Sequence, residues 1–368
     1  MSQRRTVTAG AAVAAVFMVA LILPRMGPAQ AAGSGPATAY AHYYLWWTPQ
    51  HWQSKLGSTY PYTSRPLPVP GQLDSTGCNP TVNYTGATIV DIPSEGLYDQ
   101  SLASTFDYHI ALAAKAGLTG FLADWQGTGQ PGQTPSSSGY DQRLDLLVQR
   151  VDAYNSTHGS RFALGVALAS FGNYSRPASA ILHDLAYIRS RYAGNPAFAN
   201  RYSSNPLVMV MDSRKLVPLV GHAGAVLPQL YGAFGGSLYL VGDETYTSWT
   251  TDGPYLDAGS YYWSSENPWT NSGAQRQIDS LGSQVRASGK RWFSPVIAGY
   301  NDQLAGGGCV PRYGLQTLDK LWSLNGTSSP DGWFAISWNE FVENTYLEPS
   351  TAYGAAYLQE LSRLIAAG

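Results

Sequence analysis

The chain has 368 residues, enough for two average domains or for one large α/β barrel. Its 22 basic and 24 acidic side chains leave a net charge of −2, which argues against a nucleic-acid-binding protein because such proteins carry a basic face. Hydrophobic residues make up 44% of the chain, so general disorder is excluded. Charged residues make up only 12%, while 25 tyrosines and 11 tryptophans are present, a composition that suits neutral polar ligands such as sugars.

The N-terminus has the pattern of a secretory signal peptide. Arg4 and Arg5 precede an apolar run over residues 9–23, and Ala29-Gln30-Ala31 offers small residues for cleavage. The run is shorter than the roughly 20 residues that cross a bilayer, although a retained signal anchor is the alternative. We expect residues 1–31 to be the signal, residues 32–368 to form one catalytic domain, and the mature protein to be exported and free of the membrane.

Strand-like and helix-like segments alternate along the rest of the chain. A Pro-, Gly- and Ser-rich stretch over residues 48–94 reads as one long loop after the first strand. The predicted strands cover residues 40–47, 120–124, 162–168, 206–211, 238–241, 258–262, 292–297 and 333–337. The predicted helices cover residues 101–116, 141–154, 178–191, 216–231, 275–288, 314–324 and 352–366.

These strands are continuously apolar, which is typical of a parallel sheet covered on both faces. Eight βα units in one chain of this length predict a single (β/α)8 TIM barrel with long βα loops. A doubly wound open sheet is the competing fold. No linker, internal repeat or charge run divides the chain into further domains.

Several motifs of other enzyme classes are missing or out of context. Residues 127–132 match the Gly-x-Gly-x-x-Gly pattern, but Pro131 interrupts it and a Pro/Ser-rich stretch follows where a dinucleotide site needs a helix. The sequence contains no Gly-x-Ser-x-Gly elbow, no His-Glu-x-x-His motif and no P-loop, and its six histidines show no metal-ligand spacing. We therefore expect neither a metal nor another cofactor.

The two cysteines, Cys78 and Cys309, form an even pair in a chain expected to reach an oxidising compartment. Two unpaired thiols are the alternative. In a barrel, the loops after the first and seventh strands leave the same face and only the eighth strand separates them. We therefore predict a disulfide between these loops.

Three carboxylates follow the last predicted strand. Glu340, Glu343 and Glu348 fall within nine positions at the carboxyl end of that strand, where barrel active sites are built. Glycoside hydrolysis uses two carboxyl groups beside the bond, one as acid and one as base or nucleophile. A solvated acidic loop is the alternative for the first two residues, and a helix-capping role is the alternative for Glu348.

The segment SWNEFVENTYLEP, residues 337–349, resembles the signature of glycoside hydrolase family 99, the endo-α-mannosidases and endo-α-mannanases. The related α-1,3-glucanases of family 71 carry a similar segment. Further likeness lies in YYLWW at 43–47, in residues 109–125, and in residues 293–302 and 312–314. The resemblance therefore touches most of the mature chain.

The resemblance implies a retaining endo-glycosidase with a (β/α)8 fold that needs no metal. By this likeness Glu340 is the base that deprotonates the sugar 2-hydroxyl, leading to an anhydro-sugar intermediate, and Glu343 is the general acid and then the base to water. The chain departs from the family pattern at Phe341, Val342 and Asn344, where the family tends to carry Trp, His or Gly, and Gly. These departures concern the sugar and the linkage rather than the carboxylates.

Other residues at predicted strand ends are candidates for substrate binding. Carboxylates there can bond sugar hydroxyls, and aromatic rings can stack on sugar faces, although turn-capping and core roles are the alternatives. The candidate substrate-binding residues are Tyr44, Trp46, Asp124, Trp125, Asp212, Tyr300 and Asn339. The leading hypothesis is a glycosidase acting on α-mannan or a related α-linked polysaccharide, and the alternatives are an α-1,3-glucanase and a glycan-binding barrel without turnover.

Overall fold

The computed structural model describes residues 36–57, 60, 76–78, 88–128, 139–159, 161–169, 178–216 and 226–368. Within these ranges, eight parallel strands close into a barrel. The barrel strands are β1 (Ala39–Tyr44), β2 (Gly120–Trp125), β3 (Ala163–Leu168), β4 (Leu207–Val210), β5 (Tyr239–Asp243), β6 (Ala258–Ser260), β7 (Arg291–Ile297) and β10 (Gly332–Ile336). Their neighbour order around the barrel is β1-β10-β7-β6-β5-β4-β3-β2. The predicted (β/α)8 fold is confirmed, and the open sheet is excluded because β1 pairs with both β2 and β10.

Helices connect the strands on the outside of the barrel. They are α1 (Pro49–Leu56), α2 (Ala103–Lys115), α3 (Tyr140–His158), α4 (Ala178–Tyr192), α5 (Val226–Phe234), α6 (Trp249–Asp252), α7 (Ala274–Ala287), α8 (Gln316–Gly326) and α9 (Ala356–Ala367). One apolar cluster fills the space between the strands and these helices. A second cluster, which includes Tyr40, Leu122, Met209 and Phe334, fills the barrel interior.

Two departures from the predicted elements matter for the site. Helix α1 lies inside the stretch that the sequence predicts to be one long loop. Thr48 caps this helix by accepting a hydrogen bond from the amide of His51 at 3.3 Å, and Pro49 occupies the first helical position, where a missing N–H costs nothing. The first strand also ends at Tyr44, earlier than predicted, so Trp46 and Trp47 belong to the loop before α1.

Other sequence predictions fall partly or wholly outside the described residues. The signal peptide of residues 1–31 lies outside them, as does most of the rejected glycine-rich pattern at 127–132. The predicted helix 216–231 overlaps α5, whose described part begins at Val226. Among the described residues, no helix is both long enough and apolar enough to cross a membrane.

The predicted disulfide is confirmed. Cys78, in the loop after β1, is bonded to Cys309, which lies in the short strand β9 (Cys309–Val310) after β7. The two Cα atoms are 5.9 Å apart. Strand β9 pairs with β8 (Tyr300–Asn301), and the side chain of Asn301 donates to the carbonyl of Gly77 at 2.9 Å. The bridge thus joins loops that flank the end of β10.

We predict that the double variant Cys78→Ser/Cys309→Ser unfolds with a free energy about 2–5 kcal/mol below that of the wild type. The bridge closes a loop of 231 positions, so its loss releases considerable chain entropy in the unfolded state. Denaturant titration measures the difference. A reductant should lower the stability of the wild type to that of the variant and leave the variant unchanged, and a variant as stable as the oxidised wild type would contradict the prediction.

Candidate active site

The loop after β10 is attached to the end of β1 by the side chain of Asn339. Its Oδ1 accepts from the amide of Tyr44 at 2.8 Å, and its Nδ2 donates to the carbonyl of the same residue at 3.0 Å. The amide of Trp338 also donates to the carbonyl of His42 at 2.7 Å. These bonds continue the pairing of β1 and β10 beyond the last backbone register and place Glu340 beside Tyr44.

Glu340 is buried, with 2% of its surface exposed, and its own loop holds it in place. Its Oε1 accepts hydrogen bonds from the amides of Val342 at 2.6 Å and Glu343 at 3.2 Å, and its own amide donates to the hydroxyl of Ser337 at 2.8 Å. Burial, and then the charge of Glu343, raise the pKa of Glu340 well above its usual value.

Glu343 lies in the same turn and is only partly buried. Burial raises its pKa to about 6, a hydrogen bond with Ser264 acts in the opposite direction, and the charges of Asp302 and Asp124 raise it further. Its Oε2 has no hydrogen-bond partner among the described residues. Glu343 therefore offers a free carboxylate oxygen, and the two glutamates titrate as a coupled pair.

The turn needs a left-handed residue after Glu343. Asn344 has φ of +54°, a conformation that glycine adopts freely and that asparagine tolerates better than most residues. Its side chain donates to the carbonyl of Asn301 at 2.7 Å, and its own carbonyl accepts from buried Arg312 at 2.7 Å. Asparagine in place of the glycine of the family pattern is thus compatible with a left-handed backbone at this position.

Tyrosines from three other strand ends lie within electrostatic reach of the two glutamates. The hydroxyl oxygens of Tyr44, at the end of β1, and Tyr262, just after β6, are 2.5 Å apart. Burial raises the pKa of both tyrosines well above the usual value, and the charges of Glu340 and Glu343 raise it further. Tyr300, which follows β7, is half-buried, and burial followed by the charge of Glu343 raises its pKa as well.

His42 and Asp124, from the neighbouring strands β1 and β2, form a pair close to Tyr262 and Glu343. The Nδ1 of His42 lies 3.2 Å from the Oδ2 of Asp124, and its ring meets Tyr262 edge to face with centroids 4.9 Å apart. Burial raises the pKa of Asp124, whereas the neighbouring His42 acts to lower it. Asp124 also raises the pKa of Glu343, so this carboxyl group belongs to the same electrostatic cluster.

Four of the predicted substrate-binding residues meet at this end of the barrel. Tyr44, Asp124 and Tyr300 surround the glutamate pair as described above. Trp46 is half-buried and stacks on Tyr44 with ring centroids 4.5 Å apart. Trp46 also stacks on His51 of α1, with ring centroids 5.4 Å apart.

The other three predicted substrate-binding residues are buried and make contacts of their own. Trp125 is fully buried among the outer helices and stacks on Tyr187, because adjacent residues of a strand point to opposite faces. Asp212 is buried and forms ion pairs with Arg214 and Lys215. Asn339 is fully buried and uses both ends of its amide in the bonds to Tyr44, so it positions the loop rather than offering a surface to a ligand.

Sequence reasoning missed four groups of this site. Tyr262 and Ser264 follow the shortest barrel strand, and their position at a strand end was the available signal. His42 faces into the barrel from β1, at the alternate positions shared with Tyr40 and Tyr44. Lys55 comes from α1, and its charge acts to lower the pKa of Glu340.

No protein-family model matches the chain, and no curated protein matches it in sequence. Solved structures do match it. Two structures of the GH99 endo-α-mannosidase from Bacteroides thetaiotaomicron, one in complex with bis-tris propane, share 18% identity, cover 89% of this chain and 96% of their own, and superpose with a TM-score of 0.65. A glycoside hydrolase-like protein shares 14% identity over 90% of this chain and 94% of its own, with a TM-score of 0.59. At these identities the likeness establishes a common fold, which confirms the predicted resemblance at that level.

We predict that Glu343→Gln becomes more stable relative to the wild type as the pH rises. The folded-state pKa is raised from 4.5 to about 6, so ionisation in this pH window disfavours the folded wild type, and the neutral amide removes that effect. Between pH 4 and pH 8 the variant should gain about 2 kcal/mol, measured by denaturant titration at both pH values.

The matched control is Glu360→Gln on α9. A hydrogen bond from Arg363 lowers the pKa of this surface carboxylate, so its replacement should lose stability over the same pH rise. A pH-independent difference between Glu343→Gln and the wild type would show that Glu343 titrates normally.

Proposed function

We propose that the protein is an exported retaining glycoside hydrolase that cleaves α-linked glycan, α-mannan or a related polysaccharide, within the chain. One observation carries the proposal: two coupled carboxylates, Glu340 and Glu343, lie on one loop at the carboxyl ends of the barrel strands, beside tyrosines from three other strand ends. The common fold with a GH99 endo-α-mannosidase supports the same reaction class.

In the proposed reaction, Glu340 accepts the proton of the sugar 2-hydroxyl while O2 attacks C1 and the bond from C1 to the leaving oxygen breaks. Glu343 donates a proton to that oxygen. Glu343 then accepts a proton from water as the water oxygen attacks C1 and the bond from C1 to O2 breaks, and O2 recovers its proton from Glu340. Two inversions at C1 give net retention, and holding O2 near C1 makes the first step intramolecular.

The stereochemistry of this route favours mannose. O2 can displace the leaving group from the opposite face only if the two groups are trans, as they are in an α-mannoside and are not in an α-glucoside. The half-buried rings of Tyr44 and Tyr300 supply flat faces and hydroxyls suited to pyranose rings. Export is supported by the signal-like N-terminus and by the disulfide, which suits an oxidising compartment.

The coupled pair holds one proton over a range of pH, which provides one acid and one base at the same time. The larger pKa elevation is at Glu340, whereas the proposed roles need the proton on Glu343 when the reaction starts. The roles therefore require that substrate binding move the shared proton to Glu343. The kinetics of single variants distinguish this arrangement from the reverse one.

We predict that Glu343→Gln loses activity on natural α-mannan by about 10²–10⁴-fold and retains it on a substrate with an activated leaving group, because such a group departs without protonation. Glu340→Gln should lose activity on both substrates, since O2 is no longer deprotonated. The measurement is kcat/KM for each variant with α-mannan and with an aryl glycoside of an α-linked mannan fragment.

The control is Glu266→Gln, which replaces another buried carboxyl group, one that accepts a hydrogen bond from Asn325 at 3.2 Å. It should act as the wild type on both substrates. If Glu340→Gln, and not Glu343→Gln, is rescued by the activated leaving group, the roles are reversed. Activity on α-1,3-glucan alone would favour the glucanase alternative, and binding without turnover by the wild type would favour the glycan-binding barrel.

We also predict a bell-shaped dependence of kcat/KM on pH, with the acid limb near pH 6. The active form carries one proton on the pair, and below the pKa of about 6 the second carboxyl group becomes protonated. The alkaline limb follows the loss of the remaining proton. Glu343→Gln, assayed with the activated substrate, should lose the alkaline limb, because the proposed roles assign the remaining proton to Glu343. An unchanged profile would contradict this assignment.

A further inference from the structure

A second cluster of ionisable groups lies outside the glutamate pair. Glu95 from the segment before α2, His109 of α2 and Glu348 of the loop after β10 each offer one possible ligand atom, and these atoms lie within 4.8 Å of one another. The Nε2 of His109 is in close contact with the Oε1 of Glu95. Glu95 and His109 are 14 positions apart, whereas Glu348 lies far beyond them in the sequence, so the fold brings Glu348 to the other two.

The histidine is oriented from behind. Its Nδ1 lies 2.7 Å from the hydroxyl of Tyr43, and both groups are buried. A hydroxyl can donate or accept, so Tyr43 satisfies Nδ1 in either tautomer and leaves Nε2 facing the two carboxylates. An outer partner of this kind is what fixes the ring of a metal-binding histidine.

Glu348 has more capacity to accept bonds than the surrounding groups use. It is 4% exposed and accepts a hydrogen bond from the hydroxyl of Tyr98 at 3.1 Å. The carboxyl groups of Glu95 and Asp91 lie within electrostatic reach of it. A buried carboxylate with two carboxylate neighbours lies in a region of negative charge that favours a cation.

We propose that Glu95, His109 and Glu348 bind one zinc ion. One imidazole nitrogen and two carboxylate oxygens form a mixed set that suits a first-row divalent metal, whereas calcium prefers oxygen ligands alone. Ligand atoms on such an ion lie at most about 4.2 Å apart, since each bond is about 2.1 Å long. The side chain of Glu95 is 20% exposed, so it can move by the small distance required and admit the ion from solvent.

Glu348 lies on the same loop as Glu340 and Glu343, but the proposed metal site and the glutamate pair are separate. The Nδ2 of Asn339 donates to the hydroxyl of Tyr98 at 3.3 Å, and that hydroxyl donates to Glu348. An ion on Glu348 would therefore connect α2 and the preceding segment to the loop that carries Glu340 and Glu343. Its role is to stabilise this loop, and the proposed hydrolysis does not pass through it.

The test is zinc binding by full-length, tag-free protein that has been treated with a chelator and dialysed. Calorimetric titration with zinc chloride should show one ion per chain, and saturating zinc should raise the Tm by a few degrees. Glu95→Gln, a surface change that leaves the core intact, should weaken binding by about 100-fold, and His109→Gln should do the same. Circular dichroism checks that both variants are folded.

The matched control is His158→Gln at the exposed end of α3, which should bind zinc as the wild type does. No stoichiometric zinc binding by the wild type, or equal binding by folded Glu95→Gln, would overturn the proposal. Binding of calcium in preference to zinc would overturn the assignment of the ion. Because the readout is metal binding, its failure would leave the proposed hydrolysis untouched.

Discussion

The contact between the ends of β1 and β10 is the constraint on which the rest of the site depends. A closed barrel fixes β10 beside β1, and the side-chain amide of Asn339 then bonds both backbone groups of Tyr44. This contact sets where the loop leaves the barrel and therefore where Glu340 lies. The side chain of Asn339 takes the place of two backbone hydrogen bonds of the sheet, so that β1 can end at Tyr44 while the loop after β10 remains attached to it.

Placing two carboxyl groups in this position opposes folding. Both have raised pKa values, chiefly from burial, and the charge of Glu343 further disfavours ionisation of Glu340. The loop compensates in part with its own amides, which donate to Glu340, and Ser264 bonds Glu343. Raised pKa values of this kind are common at functional sites, which supports the proposed role of the pair.

The fold was largely predictable from the sequence because continuous apolar strands and intervening amphipathic helices leave few alternatives. The disulfide followed from the barrel order. Helix α1 was not predictable, because the proline- and serine-rich stretch around it dominates the pattern. Asp124 and Trp125 are neighbours in the sequence, and both were predicted to bind substrate. Neighbours on a strand face opposite ways, so only Asp124 reaches the barrel interior.

Contacts between distant segments account for the rest of what the sequence could not reveal. Tyr262 meets Tyr44, and His109 meets Glu348, only because the barrel brings separate segments to one end. Local spacing carries information about one element at a time, whereas these groups come from different βα units. The short distance between Glu340 and Glu343 along the chain is the exception, and it is why that pair could be found.

The hydrogen bonds from the amides of Val342 and Glu343 to Glu340 have an evolutionary consequence. These bonds require a fixed number of residues in the turn, so an inserted or deleted residue between the two carboxylates would break the bonds that orient Glu340. The loop after β7 also meets this turn through its backbone, because the amide of Asn301 donates to the carbonyl of Glu343 at 2.8 Å, so its length near this contact is constrained as well. Changes in loop length should therefore accumulate away from these two segments, around a four-residue turn whose length stays constant.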